Sequence, residues 1–393
     1  MIPSILPSYA RAPLSFVKGE GVWLTEKDGR RFLDLGAGIA VNSLGHAHPK
    51  LVEVVQHQAT QLWHTSNLYN IPEQEELANK LVDLTFADTV FFCNSGTEAS
   101  ECMIKMARKY QSHVGHPERI KIITFDDSFH GRSMAPLSAA KNDAMTNGFG
   151  PLLDGFVKVA RGVLEAVQAQ IDDTTAAILV EPVQGEGGIN VHEDAFLRGL
   201  REICDDNGLL LLMDEVQCGN GRTGKLYAHQ WSGVTPDIMG TAKGLAGGFP
   251  IGACLATERA ASGMGPGSHG STFGGNSLAC AVGCATIDIL SDDAFLANVN
   301  RVGGLFRQRL EGLVASHPDV FESVRGVGLM LGLVCKVPVM DMVNAGYDAE
   351  VLTVPAAHNV MRLIPPLVIN EEEVGVAIDR LDQAASAVSA HAT

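Results

Sequence analysis

The stretch LLLLMDEVQCGNGRTGK (Leu209–Lys225), followed by TAKGLAGGFPIGA (Thr241–Ala253), decides how this chain folds. The apolar run is far too short to cross a bilayer and suits one buried strand. It ends in Asp214. The second stretch is a bend of small residues from which one amine, that of Lys243, projects. A carboxylate ending a buried strand, then a lysine in a glycine-rich bend, suggests an amine poised to form a Schiff base with a carbonyl group. Desolvation lowers a lysine's pKa and frees the neutral amine such chemistry needs. Taken by itself the pattern equally describes a solvated lysine near a loop, so the neighbouring segments must decide.

Upstream, helical periodicity in LVEVVQHQATQLW and EQEELANKLVDL alternates with short apolar runs: TVFFCN, IKIITFD, TAAILVEP, LLLLMDE and IGACLAT. Helices alternating with buried strands predict an α/β fold, a mostly parallel sheet covered on both faces. The N-terminal GVWLTEKDGRRFLDLGAG carries a Lys-Asp-Gly turn between two alternating runs, a hairpin signal. Past about residue 290 come a helix (NVNRVGGLFRQRLEGLVASHP), the runs VRGVGLMLGLV, VLTV and MRLIPPLVI, and a terminal amphipathic helix. The expected organisation is an N-terminal segment (1–45) joining a smaller C-terminal α/β domain (289–393), with a large domain over 46–288.

With 393 residues, 46% of them hydrophobic, the chain can bury a sizeable core. A net charge of −16 argues against nucleic acid or an anionic membrane as the main partner. MIPSILPSYARAP has no basic leader before an apolar core, so no secretory signal is expected. The eight cysteines are scattered through apolar segments, without CxxC or zinc spacing. No metal site is expected, and the thiols suit a reducing cytoplasm.

Several segments carry chemistry. FFCNSGTEAS (Phe91–Ser100) reads as a strand, a turn and a helix start, with free amides, Gly96 and the Thr97 hydroxyl shaped to receive a phosphate; plain helix capping would look alike. In SFHGRSM (Ser128–Met134), Phe129 could stack on a flat ring and Arg132 could fork onto a carboxylate. EPVQGEGG (Glu181–Gly188) puts Glu181 and Glu186 at the C-terminal edge of a strand, where open α/β sheets bind ligands. Asp214 repeats that position and could hold the protonated nitrogen of a pyridine ring, with Gln217 on a ring oxygen. Two rival readings are weak. GNGRTGKL spaces Gly219, Gly224 and Lys225 almost as a P-loop, but Leu226 stands where a Ser or Thr should be, and the loop follows the acidic strand. RGVGLMLG has the wrong spacing for a dinucleotide fingerprint and reads better as a glycine-rich strand. A phosphate cradle, a ring-nitrogen carboxylate and a Schiff-base lysine together suit a cofactor with a phosphate, a pyridine nitrogen and an aldehyde.

NSGTEA, FHGR, EPVQGEGG, DEVQCGNGRTGK, AKGLAGG and STFGGN occur in the order found in class III aminotransferases, and nearly the whole chain resembles that family. Within it the resemblance is strongest to enzymes acting on acetylornithine. It implies PLP-dependent transferase fold type I, with pyridoxal 5′-phosphate on Lys243 as a Schiff base. Lys243 would also carry the proton in catalysis. It further implies Asp214 on the pyridinium, Gln217 on the ring hydroxyl, Gly96 and Thr97 on the phosphate, Phe129 over one ring face, and Glu215 and Val216 among the cofactor contacts. Thr272 would reach the phosphate of a neighbouring subunit, making a homodimer with shared sites, and Ser271 would touch substrate. Arg132 would take one substrate carboxylate. Glu186 would shield Arg362 until a dicarboxylate displaces it, so that N2-acetyl-L-ornithine and 2-oxoglutarate could use one pocket in turn. Ala246 departs from the family, where another glycine is common.

Overall fold

The structure, a computed structural model, describes residues 2–140 and 142–392. Its centre is a seven-stranded sheet ordered Thr89–Cys93, Gly252–Ala256, Ile238–Thr241, Leu210–Asp214, Thr175–Val180, Lys121–Phe125, Phe156–Val159. Gly252–Ala256 runs antiparallel to both neighbours, and the other pairs are parallel. Thr175–Val180 and Leu210–Asp214 are buried along their whole length, which is why they read as unbroken apolar runs. The side-chain alternation of a strand divides the leucines between two layers. Leu210 and Leu212 meet Cys102, Met103 and Met106 of the helix Gly96–His113. Leu211 and Met213 meet Phe196, Leu200 and Ile203 of the helix Asp194–Asn207. That second helix stops at Gly208, whose φ of 63° is the left-handed conformation glycine tolerates best.

The three N-terminal strands, Phe16–Glu20, Trp23–Glu26 and Arg31–Asp34, form a sheet completed from the far end of the chain. Arg31–Asp34 pairs in parallel with Val351–Leu352. A second, antiparallel sheet joins Phe321–Val327, Met330–Cys335, Val360–Leu363 and Val354–Ala356. The helices Asp293–Ser316 and Glu371–Ala392 contribute to one apolar cluster with Leu331, Leu333 and Leu363. Within RGVGLMLG the chain turns between the first two strands of this sheet at Gly328, φ 58°. The segment is a glycine-rich hairpin, two strands and a turn where a single glycine-rich strand was expected.

Two strands of the large sheet gave no sequence signal. Phe156–Val159 lies at an edge, and Ile238–Thr241 contains Gly240. A Cβ on Gly240 would come within 2.7 Å of Met103 Cε, so close helix packing explains the glycine that hides the strand. The helix expected to run to Trp63 ends at Ala59. Among the described residues no helix is long and apolar enough to cross a membrane.

Candidate active site

Register fixes what meets at the sheet's C-terminal edge. Met213 lies opposite Val180, so Asp214 and Glu181 leave adjacent strands side by side. Asp214 lies opposite Gly240, which puts Lys243 just beyond it. Phe129 and His130 follow the next parallel strand, and Gly96 follows Thr89–Cys93. Asp214, Glu181, Lys243, Phe129, His130 and Gly96, with Thr97, Arg132, Glu186, Val216 and Gln217, line a cavity of about 250 Å³.

Lys243 opens a short 3-10 turn with φ 46°, a left-handed conformation rare for a residue with a side chain. Burial pushes its amine down to about 8, helped by the charge of Arg362 and opposed by Asp214, Glu181 and Glu186. Asp214 is buried and anchored at both oxygens: Oδ2 lies 2.8 Å from His130 Nδ1, and Oδ1 accepts from the Val216 amide at 3.0 Å. Burial opposes a charge on His130, but its bond to Asp214 and the charges of Asp214 and Glu181 outweigh this and raise its pKa. Glu181 accepts from Phe129 N at 2.8 Å and from Gly185 N at 3.4 Å, and so ties two walls of the cavity together. Burial pushes its carboxyl up to about 7, with Asp214 adding to the effect and His130 and the two amides opposing it.

Arg362 is 1% exposed on the strand Val360–Leu363. Its Nη2 lies 2.8 Å from Glu186 Oε2 and donates to Pro355 O at 3.0 Å, while Nη1 donates to Gln217 Oε1 at 3.2 Å. Its Nε is buried without a partner among the described residues. Burial lowers the guanidinium's pKa, and Glu186 offsets part of that cost. Arg132 is exposed and sits over the Phe129 ring, 5.7 Å from its centroid.

Ser95 caps the helix Gly96–His113 by accepting from Glu98 N, and Glu98 Oε2 reaches back to Asn94 N at 2.8 Å. This capping leaves the first amides of the helix available. No acceptor among the described residues takes the amides of Gly96 and Thr97, and both residues line the cavity. A Cβ on Gly96 would come within 2.6 Å of Val216 Cγ1, so only glycine allows this approach. The Thr97 hydroxyl is not the free donor expected. Its oxygen accepts from the amides of Arg132 and Ser133, each at 3.1 Å. Ser133 Oγ donates to Glu101, so the Thr97 proton goes to Ser133. That hydroxyl locks the Phe129–Arg132 turn, which leaves the main-chain amides as the free donors facing the cavity.

Four expected residues do not line the cavity of their own chain; one of them, Arg362, is held behind it by Glu186 and Gln217, which do. Glu215 is turned into the core, where it accepts from Ala228 N, His229 N and His229 Nδ1. It organises the turn Ala228–Trp231 and touches no ligand space. Ser271 Oγ accepts from Asn94 and Gly274 N and borders a separate groove, and Thr272 is exposed. The P-loop reading also fails. Lys225 lies over Trp231, and Arg222 is buried against the carbonyls of Leu329 and Pro365. His130 was missed, although its place in FHGR, right after a buried strand, was a usable signal.

A family model described as aminotransferase class-III matches residues 6–385. An acetylornithine aminotransferase of Rhodobacter capsulatus is 61% identical over 388 residues, 99% of each chain. Another, of Brucella melitensis, is 52% identical over 97% of this chain and 95% of its own. Among solved structures, an ornithine aminotransferase of Toxoplasma gondii, reported with partial occupancy of PLP at its active site, superposes with a TM-score of 0.94 at 32% identity, covering 99% of this chain and 93% of that one. An N-acetylornithine aminotransferase of Stenotrophomonas maltophilia gives 0.86 at 37%, covering 98% of each.

Proposed function

The chain belongs to the class III aminotransferases, which use pyridoxal phosphate, and on that premise we propose that it moves the terminal amine of N2-acetyl-L-ornithine to 2-oxoglutarate. The products are N-acetyl-L-glutamate 5-semialdehyde and L-glutamate, and the two substrates use one pocket in turn. The donor assignment is supported by acetylornithine relatives above 50% identity over nearly the full chain. The observation that carries the chemistry is one cavity holding a lysine of lowered pKa, a doubly anchored aspartate and two unpaired helix-end amides.

These groups fit the cofactor. Lys243 would hold its aldehyde carbon, Asp214 its ring nitrogen, and the Gly96 and Thr97 amides its phosphate; Phe129 and Val216 would be apolar walls, with Gln217 near the ring. When bound, pyridoxal phosphate supplies an aldehyde that condenses with amines and a ring that absorbs the charge left by a departing proton. His130 fixes the orientation of Asp214 through a 2.8 Å hydrogen bond. Once free, Lys243 Nζ takes the proton from the substrate carbon that bore the amine. Glu186 on Arg362 leaves a site for an uncharged end, and its rotation exposes Arg362 to a carboxylate. Arg132, at the cavity mouth, takes the other carboxylate.

The active unit is a homodimer in this reading. Trp63, Leu68, Tyr69 and Phe273, which follows Thr272, are all exposed large apolar side chains, and His64 lies 5.2 Å from the Phe273 ring. Asn67 bonds the carbonyls of Ser271 and Gly274, joining its segment to the STFGGN turn. A second copy covering these side chains would receive Thr272 at its own cofactor phosphate. The eight free, buried thiols suit a reducing cytoplasm. A panel of amino donors with 2-oxoglutarate, ranked by kcat/KM, tests the assignment: acetylornithine should lead ornithine, succinylornithine, succinyl-diaminopimelate and 4-aminobutyrate. Another donor at the head would refute the substrate, and no glutamate from any donor would refute the reaction.

A further inference from the structure

The segment Gly185–Gly188 has a single side chain beyond Cα, that of Glu186, and its surroundings demand this. A Cβ on Gly185 would overlap Gln217 Oε1, and one on Gly187 would overlap the carbonyl oxygen of Asp127. On Gly188, at φ 103°, it would come within 2.9 Å of Ala357 O. The main chain around Glu186 is thus pressed between two turns, one holding Asp127 after the strand Lys121–Phe125, the other holding Ala357 and His358 between Val354–Ala356 and Val360–Leu363. Ala357 N donates to Glu186 O at 2.9 Å. The loop's other flank is pinned as well: Asn190 Nδ2 donates to Gly187 O at 2.7 Å, and Gln184 Nε2 to Asp126 O at 2.7 Å. With its backbone held on each side, Glu186 can leave Arg362 only by turning its side chain.

The two turns are joined directly over this loop. His358 Nε2 lies 2.8 Å from Asp127 Oδ1, and Arg161 Nε lies 3.5 Å from Asp127 Oδ2. All three side chains stand outside the cavity lining. We infer that the Asp127–His358 pair is a specificity-determining tie: by clamping the loop from both sides it seats Glu186 on Arg362 and biases the pocket toward an uncharged substrate end over a second carboxylate. The inference rests on the roles proposed above for Glu186 and Arg362. Cutting the tie loosens the backbone beneath Glu186, weakens its hold on Arg362 and lowers the barrier to a dicarboxylate. His358→Ala cuts only the link between the turns, because Arg161 still faces Asp127. His358→Gln keeps a donor at the same position.

The test compares the holoenzyme with His358→Ala and His358→Gln. One readout is the ratio of kcat/KM for L-glutamate to that for N2-acetyl-L-ornithine. The other is the dissociation constant of glutarate, a dicarboxylate without an amine, followed through the cofactor's absorbance. For a pair this exposed the expected change is roughly two- to five-fold. In His358→Ala the ratio should rise and glutarate should bind tighter by that factor, with the melting temperature and the resting spectrum unchanged. His358→Gln should return both values toward wild type. A wild-type enzyme that transaminates normally, beside a His358→Ala variant with unchanged or weaker glutarate binding and donor ratio, overturns the tie. A wild type that transaminates neither donor overturns the functional reading, and glutarate affinity in the two variants then judges the tie alone.

Discussion

Replacing Lys243 with methionine should make the cofactor-free protein more stable while abolishing its covalent capture of pyridoxal phosphate. The two chains are of similar bulk, so the change removes the amine with little loss of packing. Burial and the nearby Arg362 charge bring the amine from 10.5 down to about 8, a difference worth about 3 kcal/mol against its protonated form. This is a ceiling, because Lys243 lines the cavity, where water softens the penalty. Unfolded, the amine keeps its proton up to 10.5, and folded it gives the proton up near 8. Below 8 both states are protonated, so the whole penalty weighs on the native state. Between the two values the unfolded chain binds more protons, and native stability rises with pH.

The assay is urea denaturation of apoenzyme and apo Lys243→Met at pH 7 and at pH 10, with other groups that titrate in this range common to both proteins. The variant should have the higher midpoint at pH 7, and the gap should narrow by pH 10. A gap that is absent at pH 7, or equally large at both values, would refute the reasoning. A second readout is the rate of cofactor capture by wild-type apoenzyme, which should climb with pH and level off above about 8, where Lys243 is neutral. A rate flat across that range would place the neutral amine elsewhere.

Three further outcomes follow from the site. Asp214→Asn should retain part of the cofactor but slow single-turnover loss of the substrate proton on the order of 10²-fold, measured by stopped-flow absorbance; an unchanged rate would remove Asp214 from the chemistry. Gly96→Ala drives a Cβ to within 2.6 Å of Val216 Cγ1, so it should introduce about 1–3 kcal/mol of strain at the phosphate cradle and show as faster cofactor loss on dialysis. Glu186→Ala removes the carboxylate paired with Arg362 but leaves Gln217 and Pro355 O in place. Because Glu186 is 40% exposed, its loss should cost less than breaking a fully buried pair, and the glutamate-to-acetylornithine ratio should rise roughly ten-fold in steady-state assays.

How far the sequence can be read depends on how local each determinant is. Leu209–Asp214 shows its burial on its face, and the chemistry-bearing residues sit one to a few positions past such runs, so the sheet edge that gathers them was legible. Which way each side chain then points was not. Glu215 follows Asp214 directly, yet its amide bonds Gly240 O and extends the strand pairing by one residue, so alternation turns its carboxylate into the core while Asp214 faces the cavity. Thr97 is beside a free amide, but residues thirty-five and thirty-six positions away take up its hydroxyl. Gln217 meets Arg362 across 145 positions of chain.

The same non-locality governs the central residue. A lysine in a glycine bend is visible by inspection, whereas its readiness to react is not a property of the bend. Burial lowers its pKa most, Arg362 from the C-terminal sheet lowers it further, and carboxylates at 181, 186 and 214 pull the other way. Glu186 bears on this balance twice, since it raises the Lys243 pKa directly and also faces Arg362, which lowers it. If Glu186 turns away to admit a second carboxylate, as proposed, its own charge leaves Lys243, but the incoming carboxylate takes its place on Arg362. The exchange replaces one anion by another near the guanidinium, so the amine meets a similar field with either substrate. On that proposal one lysine would move protons in both halves of the reaction without a separate base for each.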